Sequence, residues 1–420
     1  MPNWITSEAF WRSDLMVDRG LFLYDLSIAA ILKDEGHYLK EWLDYHLLAG
    51  VDHFYLYDND STDNQAEVVA PYVEAGLVDY FHAPGKAMQM LVYNDAVKRF
   101  KFQSRYIAFL DADEFIYPKS NRSIVEVVDE ILLRDPNAAG LGINWQIFGS
   151  NDLQTADYTR GVLDRFTRRA PHNWVIPLKE NNLPGGNAHV KTIANPRRII
   201  LVGSSHCPIF FKNFYLINED GVSFYQHFNN PVTVEKIAVN HYYAKSREEF
   251  NVKQSRGRAD FNVKYTDDWF DMYNRNEEFD DGILKYRAAR AENFSLENDA
   301  AKVQRVAKAL NETLSKFAND ELSDLETALV YRAASNYLGL KIHEEASLAA
   351  ILKSLDNLTV ADARLLISEL PYLLSLPYPV VEDLRGVALQ IIQKSMDYMH
   401  LNSLWRDYVK LDYIRDFLEE

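Results

Sequence analysis

The chain has 420 residues, of which 47% are hydrophobic and 25% are charged, the composition of an ordinary soluble globular protein. Its net charge of −16 argues against sequence-independent nucleic-acid binding, which needs surplus Lys and Arg to neutralise phosphates. Cys207 is the single cysteine, so no intrachain disulfide is possible. The N-terminus does not read as a secretory signal, and no apolar run approaches the roughly 18 residues of a membrane span. We therefore expect a cytoplasmic protein without a transmembrane segment, which can associate peripherally with the inner face of the membrane.

After a lead-in of low regularity at residues 1–25, strand-like and helix-like segments alternate along the chain. Ser123 and Glu126 have the spacing of a capping box at the start of one predicted helix. The alternation is typical of a mostly parallel sheet with helical crossovers, so we predict an α/β domain over residues 26–290. Strands are predicted at 26–32, 53–57, 77–81, 105–110 and 139–145, and helices at 38–48, 66–74, 87–100 and 124–133.

The second half of the chain differs in character. Residues 149–231 are irregular, as binding loops often are, with strand-like text returning at 198–202 and 235–239. Over residues 295–420 helical periodicity dominates. This pattern predicts a separate C-terminal all-α domain of roughly five to seven helices, given ordinary helix lengths.

Two carboxylates follow the apolar run 107–110 directly. A buried strand that ends in Asp111 and Asp113 presents acidic oxygens at the carboxyl edge of a sheet, where open α/β folds bind ligands. Divalent cations prefer such oxygens, with open positions left for a diphosphate. His241 follows the apolar run 237–239 and can complete a metal site with this pair. The commoner role of a lone His after a strand is that of a satisfied core or surface residue.

Two polar loops follow the first two predicted strands. One contains Lys33 and Glu35, and the other contains Asp58 and Asp60. Short polar side chains at converging strand ends suit the base and ribose of a nucleotide. An Asx-rich turn that caps the next helix is at least as good an explanation for the second loop, and Glu35 can simply favour a helix dipole.

Two further groups of residues are candidates for contact with a nucleotide sugar. Gln89 and Asn94 lie on the helix that leads to the Asp strand and can reach a nucleotide or sugar, although a solvated helix face is the commoner explanation. Lys245, Lys253 and Arg258 follow His241 and can neutralise a departing diphosphate, although basic residues on a helix are usually solvated.

Taken in order, these segments resemble the GT-A fold glycosyltransferases of the family 2-like and family 92 group, over about residues 26–260. The text that carries the resemblance is Lys-Asp-Glu-x5-Glu-Trp-Leu-x-Tyr-His at 33–46, Gly-Val-x-His-Phe at 50–54, Tyr-Asp-Asn-x-Ser-x-Asp at 57–63, Asp-Ala-Asp-Glu-Phe at 111–115, Trp145-x2-Phe148-Gly149-Ser150, Lys191-Thr-Ile193, His206 and Asn240-His-Tyr-x2-Lys-Ser246.

The resemblance implies transfer of a sugar from a nucleotide donor, a UDP-sugar being favoured, to a hydroxyl of a glycan or glycoconjugate. It also implies Mn²⁺ or Mg²⁺ as cofactor and inversion at the anomeric carbon. By this resemblance Asp111 and Asp113 hold the metal, His241 completes it, Asp58 and Glu35 lie near the nucleotide, and Lys191 lines the donor site. The predicted fold is thus a Rossmann-like GT-A domain followed by the α-helical domain.

The catalytic base that an inverting mechanism needs has no clear motif. Asp152 and Glu180 are candidates because both lie in the irregular, acceptor-side stretch, although loop carboxylates are ordinarily solvated. The family's Gly- or Ser-rich continuation after residues 148–150 is replaced here by Asn151-Asp152. Two other functions stay open: a nucleotidyltransferase acting on a sugar phosphate, and a non-catalytic sugar-binding domain on a helical scaffold. The sequence does not indicate an oligomeric state.

Overall fold

The computed structural model describes residues 22–101, 103–176, 184–224, 227–256 and 266–292, with residues 294, 295, 305 and 393 singly. The chain divides into two compact units, one of residues 24–97 and 104–299, the other of residues 1–23, 98–103 and 300–420. The first unit contains the sheet. The predicted lead-in up to residue 21 and almost all of the predicted helical domain lie outside the described residues, so both stay predictions.

Alternating strands and helices build the first unit, much as the sequence pattern predicts. None of the helices described has the length and hydropathy that crossing a bilayer requires. The helices are α1 (Gly36–Leu48), α2 (Gln65–Glu74), α3 (Gln89–Phe100), α4 (Ile124–Leu132), α5 (Val162–Arg165), α6 (Arg247–Arg256), α7 (Asp267–Tyr273) and α8 (Gly282–Ala291). The strands are β1 (Tyr24–Leu32), β2 (His53–Asp58), β3 (Val78–His82), β4 (Ser104–Phe109), β5 (Glu114–Pro118), β6 (Ala138–Ile147), β7 (Arg168–Arg169), β8 (Val190–Ala194), β9 (Ile199–Leu201), β10 (Ile209–Phe210), β11 (Tyr215–Ile217), β12 (Ser223–Phe224), β13 (Ile237–His241) and β14 (Glu278–Phe279).

A large mixed sheet forms the centre of this unit, in the order β12-β11-β6-β8-β4-β1-β2-β3, with β13 joined to β6 and β5 joined to β13. β3, β2, β1 and β4 run parallel, with helices in the connections. This confirms the predicted α/β class with a mostly parallel sheet. β1 begins at Tyr24, two residues before the predicted start of the domain.

The sequence pattern missed an antiparallel strand in the middle of the sheet. β8 lies within the stretch predicted to be irregular and pairs antiparallel with both β4 and β6, Thr192 standing opposite Phe109 and Gly142. Its five residues are too few to show a clear alternation, and they include the buried Lys191. The segment predicted as a strand at 198–202 forms β9, which pairs with β10 in a separate two-stranded sheet.

Helix α1 is anchored to β5, the strand that directly follows the Asp pair. Trp42 Nε1 donates to the Glu114 carbonyl at 2.8 Å, and Tyr45 Oη donates to the Ile116 carbonyl at 2.8 Å. His46 accepts from the Ile116 amide with Nε2 at 3.3 Å, while its Nδ1 lies 2.8 Å from the Trp42 carbonyl. Trp42, Tyr45 and His46 of α1 therefore provide hydrogen-bond partners for backbone groups of β5 on the side that faces away from β13.

Candidate active site

The predicted site residues follow strands that end at one edge of the sheet. Leu32 stands opposite Asp58 in the parallel pair β1–β2, and β4 runs parallel to β1. β8 is antiparallel to both β4 and β6, so β6, and with it the parallel strand β13, points in the same direction as β4. The loops after β1, β2, β4 and β13 therefore meet at the carboxyl edge, as predicted for a ligand site.

Asp111 is fixed by three side chains around its carboxylate. Lys191 Nζ donates to Oδ2 at 2.8 Å, and Gln89 Nε2 donates to Oδ1 at 2.7 Å, with Tyr93 Oη at 3.4 Å from the same oxygen. Lys191 also lies 3.3 Å from Glu114 Oε2. Although burial favours the neutral amine, Asp111 and Glu114 raise the pKa of Lys191 above its usual value, so Lys191 is a buried cation.

Asp113 is held between a lysine and a histidine. Lys253 Nζ donates to its Oδ2 at 2.6 Å, and His241 Nε2 lies 3.4 Å from its Oδ1. Burial alone would raise the pKa of Asp113, but the Lys253 ammonium and His241 outweigh it and hold that pKa well below its usual range. Burial lowers the pKa of His241, against the opposing charge of Asp113. Asp113 is therefore a carboxylate beside a neutral imidazole.

A capping box determines where α6 begins and therefore where Lys253 lies. Ser246 Oγ accepts from the Glu249 amide at 3.3 Å, and the Ser246 amide donates to Glu249 Oε2 at 3.1 Å. Glu249 also forms a buried bidentate ion pair with Arg165, with both N–O distances at 2.9 Å. A helix fixed at this point carries Lys253 to the carboxylate of Asp113.

Lys245 lies in the turn between β13 and α6, with a left-handed φ of 51°. Its side chain is buried, with 6% of the residue exposed, and its ammonium lies 3.9 Å from the centre of the Tyr38 ring. No hydrogen bond or ion pair to this ammonium occurs within the described segments. Burial lowers the pKa of Lys245, whereas Glu35 and Asp113 oppose that effect. Lys245 is thus a mostly buried lysine whose ammonium has no hydrogen-bond acceptor among the described residues.

Arg256 connects α6 with the loop after β1. Its guanidinium donates to Glu35 Oε1 at 2.6 Å and to the Asp34 carbonyl at 3.0 Å, and it also contacts the Lys33 carbonyl. Glu35 is 7% exposed, and its Oε2 has no hydrogen-bond partner among the described residues. The sequence analysis selected Arg258, which lies outside the described residues, and assigned no role to Arg256.

The aspartates after β1 and β2 shape their own loops. Asp58 Oδ1 accepts from the Ser61 amide and from Gln65 Nε2, both at 3.1 Å. Asp60, in the left-handed region with φ 58°, accepts from the Gly85 amide at 3.2 Å and contacts His82 at 3.0 Å. These contacts match the alternative explanation of an Asx-rich turn. Asp58 and Asp60 do border the predicted nucleotide edge, where their role stays a prediction.

The two residues predicted on α3 have different partners. Gln89 is buried and reaches Asp111, as described above. Asn94 instead binds the backbone of Val202, the residue after β9. Its Nδ2 donates to the Val202 carbonyl and its Oδ1 accepts from the Val202 amide, both at 2.8 Å. A third contact, from Nδ2 to the Met90 carbonyl at 2.7 Å, uses the remaining amide hydrogen. Asn94 is therefore engaged by the backbone rather than by the Asp pair.

Of the two residues predicted as catalytic base, Asp152 and Glu180, the structure describes Asp152. Asp152 is exposed, in the left-handed region with φ 60°, and lies 3.5 Å from Asn276 Nδ2. Glu180 lies outside the described residues.

Trp145 is buried between three imidazoles, with ring centroids 4.4 Å from His241, 4.7 Å from His189 and 5.2 Å from His206. It therefore forms part of the wall behind His241.

Two of the three predicted metal ligands face each other. Asp113 Oδ1 and His241 Nε2 are 3.4 Å apart, near the roughly 3.0 Å that separates adjacent ligands on an octahedral ion with bonds of about 2.1 Å. Both oxygens of Asp111 instead accept hydrogen bonds, and no group of three His, Cys, Asp or Glu side chains in the described segments could hold an ion. Asp113 Oδ1 and His241 Nε2 are close enough to contact one ion, and the metal role of all three residues stays a prediction.

Glu114 is the residue that the sequence reasoning overlooked. It is fully buried, its Oε2 accepts from the Asp111 amide at 2.9 Å, and its Oε1 lies 3.7 Å from His241 Nδ1. Burial raises the pKa of Glu114 well above its usual value, against the opposing charge of Lys191. The signal was present in the sequence, because an acid inside an apolar strand is rarely buried without a partner.

The family model named glycosyltransferase family 92 matches residues 28–273, more than half of the chain and all of the edge described above. The chain belongs to glycosyltransferase family 92. Among curated relatives, a glycosyltransferase family 92 protein of Ricinus communis is 25% identical over 178 residues, which cover 42% of this chain and 31% of that protein. The galactan beta-1,4-galactosyltransferase GALS2 of Arabidopsis thaliana is 31% identical over 105 residues, 21% of this chain and 19% of GALS2. The matches thus span less than a third of these relatives.

A solved structure of a complex with UDP also matches much of the chain. The crystal structure of S. aureus TarS 1-349 in complex with UDP has 12% sequence identity and covers 93% of this chain and 90% of that chain, with a TM-score of 0.28. A TM-score this low does not establish a shared fold. The GT-A assignment therefore stays a prediction, while the family and the mixed α/β class are established.

Proposed function

We propose that this member of family 92 transfers a sugar from a nucleotide-sugar donor to a hydroxyl of a glycan or glycoconjugate, with inversion. Family membership supports the transfer, and the cations at the sheet edge support a diphosphate-bearing donor. A UDP-sugar is favoured, and galactosyl donors come first because GALS2 and GALS3 of Arabidopsis are named galactan beta-1,4-galactosyltransferases. We propose the cytoplasm, including the inner face of the membrane, as its location.

The observation that carries this proposal is the environment of Lys245. The ammonium of this mostly buried side chain lies over the face of Tyr38 and has no hydrogen-bond acceptor among the described residues, so its three N–H groups are left for solvent or a ligand. Phosphate oxygens are strong acceptors for such a group. An anion bound beside Lys245 and Lys253 would therefore gain a charge-assisted hydrogen bond from Lys245 without competing with any acceptor among the described residues.

The remaining residues have complementary roles in donor binding. Arg256 orients the loop after β1 through Glu35, whose buried Oε2 is left to accept from a ribose hydroxyl or a base N–H. Lys33, Asp58, Asp60, Gln89, Asn94 and Arg258 remain predicted donor-side residues. Lys191 keeps the carboxylate of Asp111 aligned, since its ammonium is held from behind by Glu114.

The proposed cofactor is Mn²⁺ or Mg²⁺, held by Asp113 and His241 with Asp111 beside them. When bound, such an ion supplies positive charge that stabilises the leaving nucleoside diphosphate. The imidazole of His241 is suited to this role because burial keeps it neutral, with a lone pair available to a cation. The proposed base that takes the proton of the acceptor hydroxyl is Asp152 or Glu180.

Donor binding by full-length protein tests the proposal directly. Titration calorimetry with a panel of nucleotide sugars, galactosyl donors first, identifies the donor, and release of nucleoside diphosphate is then followed with acceptor glycans, with and without Mn²⁺. Lys245→Met should weaken donor binding about tenfold to a hundredfold, the value of a charge-assisted hydrogen bond of about 1.5–3 kcal/mol. The matched control is Lys285→Met, which removes a lysine whose side chain is 75% exposed.

The outcomes separate the proposed function from its alternatives. Equal donor affinity in wild type and Lys245→Met would contradict the donor site. Release of pyrophosphate from a nucleoside triphosphate and a sugar phosphate would indicate the nucleotidyltransferase instead. Glycan binding without turnover of any donor, in the presence of acceptor and Mn²⁺, would favour the non-catalytic sugar-binding domain.

A further inference from the structure

A cleft of about 730 Å³ runs along one side of helix α1, and we call it the α1 cleft. Its first wall is α1, where His37, Glu41, Asp44 and Leu48 lie at helical spacing and so share one face. Its second wall is the segment 158–165. The α1 face from His37 to Leu48 is about 16 Å long, at about 1.5 Å per residue. The cleft therefore has the volume of a small-molecule site and the length for an extended ligand.

Contacts between the two walls hold them at a fixed distance. The Val162 amide donates to Glu41 Oε2, and Arg287 of α8 donates to Glu41 Oε1 at 3.3 Å and to Asp164 Oδ1 at 3.1 Å. Gly161 permits this close approach, because a Cβ at that position would collide with the Glu41 carboxylate. The cleft is therefore built into the fold and needs no ligand to form it.

Aromatic rings are accessible at both ends of the α1 cleft. At the near end, His37 and Tyr158 are stacked with ring centroids 3.9 Å apart, and Tyr158 is 43% exposed. At the far end lies Phe294, which is 40% exposed and lines the cleft together with Leu48 and Leu77. An exposed aromatic face is a good surface for the C–H face of a sugar ring, which is apolar while the ring edge carries hydroxyls.

Most of the charged groups that line the α1 cleft are paired with each other. Lys40 forms an ion pair with Asp44, and Arg287 forms ion pairs with Glu41 and Asp164. Each carboxylate oxygen can still accept a further hydrogen bond, because it has two lone pairs. These groups therefore suit a neutral ligand that is rich in hydroxyls.

Tyr38 is shared by the α1 cleft and the proposed donor site. Its side chain lines the near end of the cleft, while the ammonium of Lys245 lies 3.9 Å from the centre of the ring. Its hydroxyl donates to Glu249 Oε1 at 3.0 Å, which fixes the ring in place. The near end of the cleft therefore adjoins the cation that is proposed to bind the donor.

We propose that the α1 cleft binds a neutral glycan chain, with one sugar ring packed on His37 and Tyr158 and further rings extending along α1 toward Phe294. That this glycan is the acceptor rests on the proposed function, whereas glycan binding itself does not. Affinity then rises with the length of the chain, because a disaccharide occupies only one end of the cleft.

Fluorescence polarisation with end-labelled neutral hexasaccharides tests binding to the full-length protein without donor or metal. The probes are hexamers of β-1,4-linked galactose, glucose and N-acetylglucosamine and of α-1,4-linked glucose. We expect at least one of them to bind the wild type, and Tyr158→Ala should weaken that binding about threefold to tenfold, the value of an aromatic contact. Tyr158→Phe keeps the ring and should bind like the wild type. The matched control is Phe279→Ala, which removes a ring that is 64% exposed and lies outside the cleft.

Donor binding by the same variants, measured by titration calorimetry, separates this inference from the proposed function. Tyr158→Ala should leave the affinity for the nucleotide sugar unchanged and raise the KM for the hexasaccharide acceptor by the factor seen in binding. A wild type that binds none of the hexasaccharides, or equal affinities of wild type and Tyr158→Ala, overturns the glycan cleft. A wild type that binds a hexasaccharide but no nucleotide sugar would contradict the donor site and support the glycan cleft.

Discussion

Aspartates lie on both halves of the carboxyl edge, one half following β1 and β2 and the other following β4, but their hydrogen-bond partners differ. After β1 and β2, Asp34, Asp58 and Asp60 are partly or fully exposed and accept hydrogen bonds mainly from loop amides. After β4, Asp111 and Asp113 accept from the ammonium groups of Lys191 and Lys253. The first group builds loops, whereas the second is paired with lysines whose side chains are largely buried, although the Asp111 side chain is itself 35% exposed.

The difference follows from burial. An exposed ion pair contributes about 0–1 kcal/mol because water and salt screen it. A buried charge that loses its partner costs several kcal/mol, because nothing replaces the lost water. The lysine-paired aspartates should therefore be sensitive to loss of one partner, and the loop aspartates should tolerate isosteric changes. This contrast can be tested on each half separately.

Removal of Lys191 should have the largest effect. Lys191→Met keeps the length of the side chain but leaves Asp111 and Glu114 without their shared cation, so the free energy of unfolding should fall by about 3–5 kcal/mol. Denaturant unfolding followed by circular dichroism measures it. Lys285→Met, on the exposed surface of α8, is the control and should stay within about 0.5 kcal/mol of wild type. A loss below about 1 kcal/mol for Lys191→Met would show that the buried cluster is solvated in solution.

Neutralising Asp113 should affect transfer most. Asp113→Asn keeps the shape but removes the charge that faces His241 and Lys253, and transfer should fall by roughly two orders of magnitude or more, with the fold intact. Turnover assays at saturating Mn²⁺, with circular dichroism of the same sample, measure both. Asp60→Asn is the matched change in the loop half and should retain most of the activity. Near-normal turnover by Asp113→Asn would reject the proposed metal role.

The sequence predicted which strands end at the carboxyl edge of the sheet, but it did not predict which side chains contact each other there. Apolar runs before Asp58, Asp111 and His241 located the strand ends, because a buried parallel strand is apolar over its whole length. It could not reveal that Lys191 points at Asp111, since β8 is short and its antiparallel insertion between β4 and β6 is a long-range pairing. The residue opposite Glu114 was hidden for the same reason, because His241 lies over a hundred positions away in the chain.

Two buried histidines, His46 and His189, should make the stability of the protein depend on pH. Desolvation lowers the pKa of His46 to about 3 and that of His189 to about 4. Both are neutral when folded, whereas the unfolded chain takes up protons below about pH 6.5. The free energy of unfolding should therefore fall as the pH drops, by about 1.4 kcal/mol per unit from His46 alone between about pH 6 and pH 5. Urea unfolding across this range measures the slope. His46→Met should reduce it, and identical slopes would contradict a neutral His46.

The smallest effect is expected at Asp58, on the loop half. In Asp58→Asn the amide oxygen can still accept from the Ser61 amide and from Gln65, so the free energy of unfolding should change by no more than about 0.5 kcal/mol. If the second oxygen binds a donor hydroxyl, replacing it by an amide nitrogen should raise the KM for the donor about fivefold, since a hydrogen bond is worth about 1 kcal/mol. Steady-state kinetics with the donor varied measures this. An unchanged KM would assign Asp58 to the loop alone and confine donor recognition to Glu35 and the cations around Lys245.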